Sequence, residues 1–319
     1  MQNQTVISRR ALTAATLTST TAGSGFILTW LCCFVLVRRK VFRNVQYSWL
    51  TASLAVADGG VLSVFVFWTV PVTVFGQERY DSVKGRKFGQ LALTFQYAVL
   101  YNMLFIAINR FVAVVRYSKY EVWFSKRNTK IVVSLVWLVS LSHGLLYFVP
   151  GCDFVYDHQI FVWIFVESQC YQLMVALDLY YSLFFLVVIF ALNVFAGLML
   201  ISVNKTATVS DRNARSESRR RKQEARFFLQ TCLNVAEFAF MFICFHLISP
   251  YAVTTFEQYM STTWIWQMSH ATNAWVLFIF NKEIRREIAS VVCCVNSVAV
   301  ELSNTGKSQT APSGKTVHR

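Results

Sequence analysis

The sequence predicts an all-α fold: a bundle of seven membrane-spanning helices, N-terminus outside, with a short amphipathic helix after the last span. Three observations carry that prediction. Of the 319 residues, 55% are hydrophobic and only 14% are charged, whereas a soluble domain of this size carries about 25% charge. Mean hydropathy is correspondingly positive, at +0.45. Apolar runs long enough to cross a bilayer recur along the chain, and the basic residues gather in the short gaps between them.

A helix needs about 20 mostly apolar residues to cross the hydrocarbon core. Runs that qualify lie at 14–37, 48–75, 89–115, 129–150, 171–203, 226–252 and 263–281, and are numbered here as spans one to seven. No run alternates with a period of two between turns, which argues against a transmembrane barrel. Neither half of the chain repeats the other, which disfavours an inverted-repeat transporter. The organisation expected is an outer N-terminus at 1–13, a membrane domain at 14–288 and a cytoplasmic tail at 289–319. The first residues lack the pattern of a cleaved signal peptide, so span one is expected to direct insertion itself.

Orientation follows from Lys and Arg. The gap after span one holds Arg38, Arg39, Lys40 and Arg43. The end of span three and the gap behind it hold Arg110, Arg116, Lys119, Lys126, Arg127 and Lys130. The gap after span five is the most basic, with a run at Arg219, Arg220, Arg221 and Lys222, and the tail adds Lys282, Arg285 and Arg286. Of the 30 Lys and Arg, the opposite side has only Arg9, Arg10, Arg79, Lys84, Arg86 and Lys87. The richer side is cytoplasmic. Clustered this way, the net charge of +14 marks topology and contact with anionic lipid, and no nucleic-acid partner is expected. Asn3-Gln4-Thr5 then places a glycosylation sequon outside.

Ionisable groups inside spans are candidates for function because the membrane makes them expensive. Three are acidic: Asp58, Asp178 and Glu237. Asp58 lies about ten residues, roughly 15 Å, from the inner end of span two. Asn273 lies at a similar depth in span seven, so the two are expected to share one polar site there. Such a carboxylate can bind a cation or hold helices together. Asn109 and Arg110 close span three at the inner boundary, where an Arg can also simply snorkel to headgroups.

Eight Cys occur, none with His at metal spacing, so no metal and no cofactor is expected. His143, His246 and His270 lie on separate spans, which disfavours an intramembrane enzyme. Cys152 and Cys170 flank the outer segment between spans four and five; facing an oxidising space, they can form one bridge. Cys293 and Cys294 follow the amphipathic stretch 282–288 and are candidates for palmitoylation.

In combination, several of these residues carry a likeness. Asp58 within Leu54-Ala55-Val56-Ala57-Asp58, Asn109-Arg110-Phe111 ending span three, Trp137, Pro250, and Asn273 followed by Asn281-Lys282-Glu283-Ile284-Arg285 resemble the rhodopsin-like G-protein-coupled receptors. More narrowly, Ile106-Ala107-Ile108-Asn109-Arg110-Phe111, Pro150-Gly151-Cys152-Asp153-Phe154 with Cys170, and Phe280-Asn281-Lys282-Glu283-Ile284-Arg285 resemble the nematode serpentine chemoreceptors of class X. The resemblance implies a plasma-membrane receptor for an extracellular small molecule, coupled to a heterotrimeric G protein. Asn109, Arg110, Asp58 and Asn273 would carry the activation. It also implies a ligand site in the outer half, for which the residue types suggest Phe95, Gln96, Tyr97, Asp178, Tyr181, His246, Gln267 and His270. The departures bear on the switch and leave the fold. Asn109 stands where the wider family has an acid, Ala274 where it has Pro, Leu277 where it has Tyr and Ile248 where it often has Trp. No Cys lies near the start of span three, so the wider family's bridge from there to the outer loop cannot form. The rival reading is a transporter or channel using the three intramembrane carboxylates.

Overall fold

The computed structural model of the chain describes residues 8–39, 42, 45–76, 82–206 and 214–291, side chains excepted at 82, 117 and 203–224. Asn3, Cys293 and Cys294 lie outside these residues.

Span one is a helix from Arg9 to Arg38. It starts earlier than its apolar run because Ser8 caps it, its hydroxyl oxygen accepting from the Ala11 N–H at 3.1 Å. Span two runs over Gln46–Phe75 and is buried at most positions, which is why its sequence is apolar all round. Gly59 and Gly60 admit the neighbours on either side. A Cβ at Gly59 would lie 3.0 Å from the Trp30 ring of span one, and one at Gly60 would lie 2.5 Å from the Phe95 ring of span three. Small residues let membrane helices approach in this way. Span three covers Ser82–Val115, and a short helix, Tyr117–Trp123, fills the inner gap behind it.

Span four is Lys126–Gly144, capped by Ser125 and closed by a 3₁₀ turn, Leu145–Phe148. Span five is Tyr171–Thr206. Span six, Ala214–Ile243, passes into a π turn at Cys244–Ile248 and a 3₁₀ turn at Ser249–Tyr251. The cause of that irregularity is Pro250, whose missing N–H withdraws one rung from the helical ladder. Span seven comprises Thr255–Tyr259, a π turn at Met260–Trp264 and Ile265–Phe280. Its start is fixed by a capping box. Glu257 accepts from the backbone N–H groups of Val253 and Thr254, and the Thr254 hydroxyl accepts from the Glu257 N–H in return.

Among the described residues, six of the seven spans are long and apolar enough, by length and composition, to cross a membrane. The exception is span seven, whose Gln267, His270 and Asn273 turn inward and are buried. After Asn281 the chain turns into a helix at 282–291. The Asn281 side-chain oxygen accepts from the N–H groups of Glu283 and Ile284, starting that helix. Ile284 and Ile288 pack it against Cys32, Val35 and Leu277, and Arg39 reaches Glu287 at 2.9 Å.

One element departs from the all-α expectation. In the outer segment β1, Phe154–Asp157, pairs antiparallel with β2, Val162–Phe165. A search for apolar runs of about 20 residues has no place for two strands of four. Phe154 and Tyr156 are buried on one face and Trp163 is 1% exposed, so the hairpin is a lid packed into the bundle.

Spans one and seven meet closely at Gly25. A Cβ there would lie 2.6 Å from the Ala271 Cβ and 2.9 Å from its Cα, so the clash is with backbone and cannot relax by rotation. Gly25→Val is expected to destabilise the bundle by about 1–3 kcal/mol, the usual cost of overpacking. A lowered unfolding temperature in detergent measures it, and an unchanged one contradicts it.

Candidate functional site

Beneath the hairpin, spans three, five, six and seven enclose a narrow cavity of about 40 Å³, enough for a few water-sized groups. Phe154 and Phe165 come from the hairpin, and Phe238, Phe242 and Phe245 from span six. Gln96, Asp178, Ser182 and His246 are its polar groups. The roof is aromatic: Trp163 lies 5.5 Å from Phe154 and 6.1 Å from Trp266, centroid to centroid.

Asp178 accepts from the Tyr97 hydroxyl at 3.2 Å, while His246 Nε2 stands 3.6 Å from its other oxygen. The π turn of span six aims that imidazole: the Ser249 N–H reaches back five residues to Cys244 instead of four. Behind Asp178 stands a cluster of which the residues proposed for the ligand site include only Tyr97 and Tyr181. Tyr97 and Tyr147 hydroxyls are 2.8 Å apart, and Tyr101 lies 2.6 Å from the Tyr181 hydroxyl and 3.0 Å from His143 Nδ1. The signal was present in spacing. Tyr97 and Tyr101 are four residues apart on one helix, as are His143 and Tyr147 on the next, so each pair shares a face.

A run of hydrogen bonds leads inward from the cavity. The Trp266 indole donates to the Gln96 carbonyl at 2.8 Å. His270 Nε2 lies 2.9 Å from the same oxygen, which, accepting from a donor-only indole, must accept from the imidazole as well. His270 Nδ1 lies 2.8 Å from Asp58 Oδ1. The Asn273 amide donates to both Asp58 oxygens at 3.1 Å. Asp58 and His270 are 2% and 1% exposed, so this pair satisfies itself within the protein.

At the inner end Arg110 is 4% exposed. Its guanidinium sits 3.6 Å from the Tyr47 ring of span two and 4.6 Å from the Phe227 ring of span six. Asn109 donates to the Tyr120 hydroxyl at 3.1 Å, tying the short inner helix to span three. Beside this contact opens a cavity of about 390 Å³ lined by Tyr47, Arg226, Phe227, Lys282 and Arg286. Glu237, on span six, lies beside Thr272 of span seven.

Of the residues proposed for the outer site, Gln96, Asp178 and His246 line the cavity. Phe95 and Tyr97 do not, because consecutive helical residues point about 100° apart and only one of the three can face it. Phe95 turns toward Gly60 and Trp137; Tyr97 and Tyr181 stand behind Asp178. Gln267 is fully buried and does not line the cavity. His270 belongs to the inward run.

Cys152 and Cys170 form a disulfide across 18 residues of sequence, closing the base of the hairpin. Gly151, with φ of 85°, makes the turn before it in a conformation that favours glycine. Replacing both cysteines with serine is expected to remove about 3 kcal/mol of loop-closure stabilisation. Thermal unfolding of the purified protein checks this; the same midpoint with and without the bridge contradicts it.

Comparison with known proteins now bears on the geometry. Residues 20–281 match the family model described as "Serpentine type 7TM GPCR chemoreceptor Srx". The chain is 25% identical to serpentine receptor class X 45 of Caenorhabditis elegans over 313 residues, 92% of this chain and 84% of that one. It is 30% identical to D(2) dopamine receptor A of Xenopus laevis over 113 residues, 35% of this chain and 25% of that one. The crystal structure of squid rhodopsin superposes with a TM-score of 0.74 at 14% identity, over 96% of this chain and 93% of that one, a likeness of fold. A bundle with a lidded outer cavity, an inward polar run and a clasped inner Arg thus coincides with a family match over most of the chain, which belongs to the Srx family of serpentine G-protein-coupled chemoreceptors, multi-pass membrane proteins that are not enzymes.

Proposed function

We propose that the protein acts at the plasma membrane, takes a small extracellular molecule into the cavity at Gln96, Asp178 and His246, and passes its occupancy to a heterotrimeric G protein at Asn109 and Arg110. The observation that supports this best is the unbroken run Trp266–Gln96–His270–Asp58–Asn273, which joins the cavity wall to the inner half of the bundle. A ligand shifts a receptor only by its differential affinity for two states. Contacts at Trp266 and Gln96 differ between states if that run rearranges. Phe95, Tyr97, Tyr181 and Gln267 then hold the helices that present the site. Asn3 glycosylation and acylation at Cys293 and Cys294 fit the same orientation, one outside and one inside.

Cells expressing the receptor with a promiscuous G protein, screened against small metabolites and odorants, test the reading. A response that disappears with Arg110→Ala at unchanged surface expression supports it. Ion or solute flux through the purified protein in liposomes, with no G protein present, would overturn it in favour of a transport path through Asp58, Asp178 and Glu237.

A further inference from the structure

We infer that the outer cavity is built for a small organic ammonium ion, with Asp178 as its counter-charge; this rests on the reading that the cavity is the stimulus site. A carboxylate at this depth is costly unless a cation or several donors meet it. Asp178 has the Tyr97 hydroxyl at 3.2 Å and His246 Nε2 at 3.6 Å, the latter beyond hydrogen-bonding distance. An ionised carboxylate accepts about four hydrogen bonds, so acceptor capacity remains at a side chain that lines the cavity.

No Lys or Arg is among the described residues lining it. An anionic ligand would therefore meet a carboxylate and no permanent counter-charge, whereas an ammonium ion completes the pair. The remaining walls suit a cation as well. Phe154, Phe165, Phe238, Phe242, Phe245 and Trp266 present rings, whose faces attract ammonium groups. The Trp266 N–H is already committed to Gln96. The volume of about 40 Å³ limits the ligand to a short-chain alkylamine. An ammonium hydrogen-bonded to Asp178 comes against His246, and His246 sits in the π turn beside Pro250. Binding thus acts on the irregular part of span six, the element whose inner end carries Phe227.

The test uses the purified full-length receptor in detergent and reads the unfolding temperature, which rises with ligand occupancy. The probes are tert-butylamine and isobutylamine, against tert-butanol and isobutanol of the same carbon skeletons. Amines are expected to bind at least tenfold more tightly than the matched alcohols. Asp178→Asn should weaken amine binding about thirtyfold and alcohol binding less than threefold. Asp178→Ser, which also removes the carboxylate, should weaken amine binding in the same way and serves if Asp178→Asn does not fold. Ser182→Trp fills the cavity and should abolish binding of both classes.

Equal affinity for amines and alcohols, with both lost in Ser182→Trp, overturns the ammonium assignment and leaves the cavity as the stimulus site. Amine binding that survives Ser182→Trp overturns the site itself. Absence of a shift with either amine up to 10 mM, or amine binding that is unchanged in Asp178→Asn and Asp178→Ser, also overturns the assignment.

Discussion

Phe227→Ala is expected to raise ligand-independent G-protein activation about tenfold. Arg110 lies against both the Tyr47 and the Phe227 ring, which themselves lie 4.9 Å apart, so a single cation joins spans two, three and six at their inner ends. A desolvated cation–ring contact contributes about 2 kcal/mol, and part of it survives through Tyr47. Losing about 1.4 kcal/mol from the closed arrangement moves a two-state equilibrium tenfold toward the open one. Basal nucleotide exchange at matched surface expression is the readout. Phe227→Tyr, which keeps the ring, should stay near the parent level. Basal activity that is unchanged in Phe227→Ala would mean that the clasp does not hold the resting state.

The second large effect is expected at Asp58. Asp58→Asn keeps the shape of the side chain but puts an amide N–H₂ in place of one of the carboxyl oxygens that meet His270 at 2.8 Å and Asn273 at 3.1 Å. Leaving a buried hydrogen-bonding group without its partner typically costs about 1–3 kcal/mol. Here the cost falls on the joint between the cavity-linked Gln96–His270 segment and the inner half of span seven. Maximal response should therefore fall at least tenfold, while surface expression stays mostly intact since the outer cluster and the disulfide are untouched. An unchanged dose–response curve would remove this run from the signalling path.

The spans, their orientation and the helix after Asn281 were legible in sequence, since each rests on run length, charge placement or a short apolar period. Depth along two helices was also enough to match Asp58 with Asn273. His270 shows where depth falls short. It lies three residues before Asn273 and so shares its face, yet polar residue types alone assign it equally well to a ligand site. Its place is decided by the rotation of span seven against span two, which the sequence does not state. The hairpin was missed for a different reason: two four-residue strands carry too little pattern to stand out beside apolar runs five times longer. Tyr47 and Phe227 were hidden because an aromatic at a helix end reads the same whether it faces lipid, headgroups or a neighbour's guanidinium.

Nucleotide exchange on purified heterotrimeric G proteins, catalysed by the purified receptor in nanodiscs without ligand, tests the central claim most directly. Phe227→Ala should accelerate exchange on at least one G-protein class over the parent receptor, and Arg110→Ala added to it should abolish that acceleration. No acceleration on any class, or acceleration that survives the loss of Arg110, would contradict the account.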